Sequence, residues 1–222
     1  MSIPTNAGDV ADYAERVARH VPGLEDLHRM AALLLAERVP ADGRVLVLGA
    51  GGGLELRAFA DQQPGWWFEG VDPAPDMLAQ ARATLGHRAA RVSFHEGYVD
   101  TAPAGPFDGA TCLLTLHFLA PPQRLQTLKA LQQRLRPGAP LVVAHHSFPQ
   151  VSQDLWLRRN ANLLMAKGVP AAQAEAGIST MKERLPALSP EADEALLAEA
   201  GFADIQLFYA GFTFKGWVCY RA

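Results

Sequence analysis

The amino-acid sequence predicts a doubly wound α/β fold, a mostly parallel seven-stranded sheet closed by an antiparallel last strand. Short, continuous apolar runs alternate with helical stretches from residue 44 onward, as strands buried on both faces of a parallel sheet do. The run Val45-Leu46-Val47-Leu48 feeds a glycine turn and then a helix. The chain ends in two strand-like segments, Ile205 to Tyr209 and Phe212 to Tyr220, joined tightly around Ala210-Gly211. That joint is too short for a parallel crossover, which needs a dozen or more residues, so the pair must be antiparallel.

The elements follow in order along a single predicted domain, residues 1–222. Apolar positions Val10, Tyr13, Ala14 and Val17, then Leu27, Met30, Leu34 and Leu35, recur at helical spacing around the Val21-Pro22-Gly23 break, which predicts a two-helix cap over residues 1–40. A core over 41–148 carries the strands Val45 to Leu48, Trp67 to Val71, Val92 to His95, Ala110 to Leu114 and Leu141 to Ala144. Residues 149–188 interrupt that rhythm with a helical segment (Leu155, Leu163, Leu164, Met165) and a stretch containing Pro, Ala and Gly through Ile178 and Met181. An insertion between core strands commonly covers an active-site mouth, and this one is the expected lid. Residues 189–222 hold the last helix, Pro190 to Ala200, and the strand pair.

Composition narrows the function classes. The 222 residues are 49% hydrophobic and 19% charged, a globular balance, and no apolar run approaches the roughly 20 residues of a membrane span. The start, Met1-Ser2-Ile3-Pro4-Thr5-Asn6, lacks the pattern of a secretory leader, so a cytoplasmic address is expected. A formal charge of −3 gives no general attraction to nucleic acid. Cys112 and Cys219 have no metal-ligand spacing, and a buried free thiol is expected at Cys112.

The sharpest local signal is Gly49-Ala50-Gly51-Gly52-Gly53 between strand and helix, where missing side chains let backbone approach a ligand. A dinucleotide fingerprint would require a small residue where Leu54 stands, and no Lys-Ser/Thr pair follows for a Walker A loop. The spacing G-x-G-x-G is the form typical of S-adenosylmethionine-binding domains. Asp72 closes the second strand, 21 residues after Gly51, placed to accept ribose hydroxyls; the alternative is an N-cap in front of Pro73. The third strand ends in Gly97-Tyr98-Val99, expected at the adenine edge. Ligands of open α/β sheets bind beyond the strands' carboxyl ends, so Thr115 to Phe118 should line the cofactor's sulfonium end and bring His117 near the methyl group. Adjacent His145 and His146 at the end of strand five point to opposite faces, and too few ligands gather for a metal site.

The order of strand, G-x-G-x-G, acid after strand two, Phe107-Asp108 before strand four and Arg136-Pro137-Gly138 before strand five resembles the class I methyltransferases, with their Rossmann-like fold, across residues 40–148. Arg19-His20-Val21-Pro22-Gly23-Leu24, Thr115-Leu116-His117-Phe118-Leu119-Ala120-Pro121-Pro122, Ala200-Gly201-Phe202 and Phe212-Thr213-Phe214-Lys215-Gly216 are similar to the carboxy-S-adenosylmethionine synthases of tRNA wobble-uridine modification. That family holds a carboxylate with an arginine in the helix before Gly-Phe, where this chain has Leu196, and carries a tyrosine where Val169 follows Gly168.

The resemblance implies S-adenosylmethionine as cofactor, bound by Gly49, Ala50, Gly51, Gly53, Asp72, Pro73, Met77, Gly97, Tyr98, Val99, Thr115 and His117. Methyl transfer to a small-molecule N or O acceptor is expected, with His146 ranked ahead of His117 and His145 as general base. Trp156, Arg158 and Arg184 of the insertion are the candidate acceptor contacts, the arginines for an acidic acceptor; ordinary helix surface and core packing are the alternatives. Carboxy-cofactor synthesis and a catalytically silent cofactor-binding protein are the other functions kept open, and a homodimer is expected by resemblance alone.

Overall fold

The computed structural model describes residues 7–222, with side chains from residue 13 onward. Met1 to Asn6 and the side chain of Val10 lie outside the described residues. Seven strands, β1 (Arg44–Leu48), β2 (Trp67–Asp72), β3 (Val92–Glu96), β4 (Gly109–Leu113), β5 (Pro140–His146), β6 (Phe202–Gly211) and β7 (Phe214–Arg221), form one sheet in the order β3-β2-β1-β4-β5-β7-β6. β1 to β5 pair in parallel, and β7 runs antiparallel to both β5 and β6, as the sequence predicts. The final turn lies slightly further on than expected: β6 continues through Gly211, and the reversal falls at Phe212, which adopts a φ of 50°.

Alternation along the strands divides the core between the two faces. Val45 and Val47 pack with Leu27 and Leu35 of α2 (Leu24–Ala36), Leu56 and Phe59 of α3 (Leu54–Gln62), and Leu85 of α4 (Pro75–Leu85). Leu46 and Leu48 pack on the other side with Leu128 and Leu131 of α5 (Pro121–Arg134) and Leu197 of α8 (Pro190–Glu199). The insertion folds as two helices, α6 (Gln153–Ala166) and α7 (Ala171–Arg184), so the stretch through Ile178 and Met181 is a second helix. Ala161, Leu164, Val169 and Ala174 bury one another in a small core of their own. The expected lid is thus a helical hairpin, preceded in the chain by β5 and joined to the first helix, α1 (Ala7–His20), by a hydrogen bond from Lys167 Nζ to the Ala18 carbonyl.

Behind the sheet, fully buried Arg124 of α5 donates to Asp193 of α8 at 2.5 Å and to the Pro186 carbonyl at 3.0 Å. His145 Nε2 lies 3.2 Å from the same carboxylate. This buried polar cluster joins strand five, α5 and α8 to the segment that follows the hairpin. Cys112 and Cys219 are both buried free thiols, and burial pushes their pKa up. No helix among the described residues is long and apolar enough to cross a membrane.

Candidate active site

The glycine turn owes its shape to three left-handed residues, Gly49 (φ 79°), Gly51 (φ 47°) and Gly53 (φ 79°), a conformation costing other L-residues about 1–2 kcal/mol. Space forbids side chains there too. A Cβ on Gly49 would stand 2.0 Å from Thr115 Oγ1, and one on Gly53 would stand 2.8 Å from the Ala81 backbone of α4. Gly53 therefore serves close packing of α3 against α4. Gly49, Ala50, Gly51 and Thr115 line a cavity of about 130 Å³, together with Tyr13, Val17, His28, Glu55 and Leu114.

Asp72 is tied to this turn from the end of β2. Its Oδ2 accepts the Gly51 N–H at 2.9 Å and its Oδ1 the Ala74 N–H at 3.0 Å. A carboxylate has about four lone-pair sites, so both oxygens keep acceptor capacity. The N-cap alternative is corrected: α4 starts at Pro75, its N-cap is Ala74, and Asp72 closes a local turn while bracing the glycine loop. Gly97 N–H donates to the Asp72 carbonyl at 3.1 Å, which brings the segment 97–99 beside the acid. Met77 Cε approaches the position of a Gly51 Cβ to 3.8 Å. Tyr98 is 64% exposed, Val99 packs partly into the core, and Pro73 is exposed outside the cavity wall.

A second cavity of about 750 Å³ opens beyond the carboxyl ends of β4 and β5, roofed by α1 and the α6–α7 hairpin. It shares Tyr13, Val17 and Leu114 with the first. Leu114 holds a positive φ of 58° at the junction, and residues in such costly conformations cluster at functional sites. Among the described residues no aspartate or glutamate lines the larger cavity; its charged or titratable lining there is Tyr13, Arg16, His20, His117, His146 and Arg184.

The histidines separate by backbone alternation. His146 enters the larger cavity, stacks on Phe214 with ring centroids 3.8 Å apart and lies 4.8 Å from the His117 ring. His145 turns to the opposite face against Trp217 and Asp193 and is corrected from a catalytic candidate to a packing residue. His117 lines the larger cavity and not the smaller, away from the glycine turn. Its Nδ1 accepts the His146 backbone N–H at 3.3 Å; a backbone N–H only donates, so the neutral His117 ring carries its proton on Nε2. His146 Nδ1 lies 3.0 Å from Thr213 Oγ1, whose hydroxyl donates to Asn160 Oδ1 at 3.2 Å. With that hydroxyl proton spent, Thr213 accepts from His146 Nδ1–H, and the His146 Nε2 lone pair is left free. Burial, then the neighbouring histidines, lowers both pKa values, that of His146 to about 3; both rings are neutral at physiological pH.

Of the hairpin residues expected at the acceptor, only Arg184 lines the cavity. Arg158 is paired with Glu175, and Trp156 lies under Arg159 and Lys215. Sequence reasoning missed Tyr13, Glu55, Asn160 and Thr213. Leu196, at the position of the family's carboxylate-binding arginine, packs against the core and lines neither cavity.

A model of the methyltransferase domain matches residues 45–138, the span holding the glycine turn, Asp72 and the Thr115–Phe118 loop. Over that span the chain is similar to S-adenosylmethionine-dependent methyltransferases. Among its relatives, a carboxy-S-adenosyl-L-methionine synthase from Chromohalobacter salexigens is 28% identical over 96% of this chain and 81% of its own length. Human N-acetylserotonin methyltransferase in complex with S-adenosylmethionine superposes with a TM-score of 0.60 at 18% identity, covering 99% of this chain and 60% of its own. The apo form of the methyltransferase SibL superposes at 0.63 with 20% identity, over 90% of this chain and 60% of its own. The chain thus spans about 60% of the length of those two structures, whose likeness is one of fold.

Proposed function

We propose that this protein is a methyltransferase that moves the methyl group of S-adenosylmethionine to a nitrogen or oxygen of a small molecule held in the larger cavity. The supporting observation is that two cavities, one on the glycine turn and one under the hairpin, meet at Tyr13, Val17 and Leu114. A volume of about 750 Å³ fits a small molecule, since such pockets run from about 300 to 1,000 Å³. Its wall is mainly apolar, with Arg184 and Arg16 as the cations available to an acidic group.

Bound S-adenosylmethionine supplies a methyl group already activated on a sulfonium. The protein's task is to hold the acceptor in line, which supplies about 7–11 kcal/mol of barrier reduction. His146 Nε2 then accepts the acceptor's proton, a contribution of about 10²–10⁴-fold, and His117 Nε2–H donates a hydrogen bond that fixes the acceptor's pose. Asn160 and Thr213 hold the His146 tautomer. Burial makes His146 a weak base, but the positive charge it takes up would be offset by the sulfonium charge lost in the transfer, leaving the cavity's net charge unchanged.

Full-length similarity to the carboxy-S-adenosyl-L-methionine synthases favours a second reading, synthesis of a carboxylated cofactor. Against it stand Leu196, partly buried against the core, and Val169, buried in the hairpin's own core, where that chemistry calls for an arginine and a tyrosine. Mass spectrometry of the products from S-adenosylmethionine and a panel of hydroxy and amino compounds separates the readings. S-adenosylhomocysteine with an acceptor heavier by one methylene is expected; a carboxylated cofactor would overturn the assignment.

A further inference from the structure

Glu55 is a buried carboxyl group that the mechanism above leaves without a role. It stands in the first turn of α3, 6% exposed, and accepts a hydrogen bond of 2.5 Å from Thr111 of β4. It lines the smaller cavity beside the glycine turn. Among the described residues it makes no ion pair. Among the described residues, the titratable and charged groups around it are Tyr13 of α1, His28 of α2, Arg57 of its own helix, Asp72 of β2 and Cys112 of β4, and none of these supplies it with a counter-charge by contact. Burial pushes the Glu55 carboxyl up to about 8, partly offset by the hydrogen bond from Thr111, so the group is protonated at neutral pH. Burial, followed by the charge of Arg57, lowers His28 to about 4, and burial, followed by Asp72, raises Tyr13. Both are uncharged at neutral pH, and a cation entering this cavity meets Glu55 as the one buried carboxyl partner among the described residues of the lining.

The cofactor carries such a cation at the end of its amino-acid tail. We propose that Glu55 receives the α-ammonium group of the cofactor and gives up its carboxyl proton to solvent as it does so. This rests on the S-adenosylmethionine reading. The carboxylic acid loses a proton, the ammonium keeps its three, and a buried ion pair replaces a buried neutral acid. A buried pair is favourable only when both members are present, so Glu55 discriminates for cofactors that keep the amino-acid tail, and binding is coupled to pH.

The test is calorimetric titration of the full chain with S-adenosylhomocysteine at pH 6.5, in buffers of different ionisation enthalpy, with 5′-methylthioadenosine as the tail-less control. Release of about one proton per site is expected for S-adenosylhomocysteine, declining as pH rises through about 8, and none for methylthioadenosine. Glu55→Gln, whose amide oxygen still accepts from Thr111, abolishes the release and weakens S-adenosylhomocysteine about 10- to 100-fold while leaving methylthioadenosine binding unchanged. Tight binding of S-adenosylhomocysteine with no buffer-dependent heat, or release that survives Glu55→Gln, overturns the role of Glu55 and leaves the cofactor reading intact. Failure of both compounds to bind overturns the two together.

Discussion

At the scale of single residues, the site is a set of groups whose protonation is decided by burial. His146 is neutral because the cavity disfavours its imidazolium and pulls its pKa to about 3. The methyl-transfer rate should therefore show no inflection near 6.5, the value of an unperturbed imidazole; a pH profile of kcat that titrates there would contradict the assignment. His146→Gln should lower kcat about 10²–10⁴-fold with little change in cofactor affinity. The meeting of Asp72 with the glycine turn was legible in the sequence because its evidence is local: a strand, a glycine turn and an acid at a fixed distance. Asn160 and Thr213 were not, since they lie 53 residues apart and only packing of α6 against the start of β7 brings them together. Glu55 was hidden by its position as well, because a glutamate in the first turn of a helix reads as a surface group placed to favour the helix dipole.

At the scale of elements, β1, β4 and β5 were plain as apolar runs, because burial on both faces leaves almost no polar alternation in them, while β3, with Ser93, His95 and Glu96, is only partly buried. α7 was not plain. Its run Ala171–Arg184 mixes small and polar residues around Gly177, and its helicity rests on packing against α6. Gly177 lines the larger cavity, and a Cβ there meets nothing within 4 Å. Gly177→Leu should therefore fold at least as well as the parent, since leucine gains close to 1 kcal/mol of helix propensity over glycine, yet raise KM for the acceptor several-fold by filling the cavity. Thermal melting and steady-state kinetics on the same sample check both halves. The hairpin also explains why Trp156 and Arg158 point elsewhere: α6 turns only its Leu157–Asn160–Ala161–Leu164 stripe inward, and the sequence alone does not fix which stripe faces the cavity.

At the scale of the whole molecule, the sheet order places the carboxyl ends of β1, β4 and β5 side by side, and the two cavities follow from that topology. The back of the sheet is held by Arg124, Asp193 and His145. Burial alone would raise the Asp193 carboxyl, but hydrogen bonding and charge interaction with His145, then Arg124, hold it below the usual carboxylate value. A group depressed in the folded state contributes stability above its unfolded pKa and loses it as pH falls through the folded value, so this cluster weakens only in strong acid. Asp193→Ala strands the buried guanidinium and should cost about 3–5 kcal/mol, read by urea denaturation at neutral pH. The central claim is that Asp72 and the glycine turn bind S-adenosylmethionine, and calorimetric titration of the parent and of Asp72→Ala with that cofactor tests it most directly. Micromolar binding that Asp72→Ala weakens about 10- to 100-fold is the predicted result; no binding by the parent, or equal binding by the variant, would contradict it.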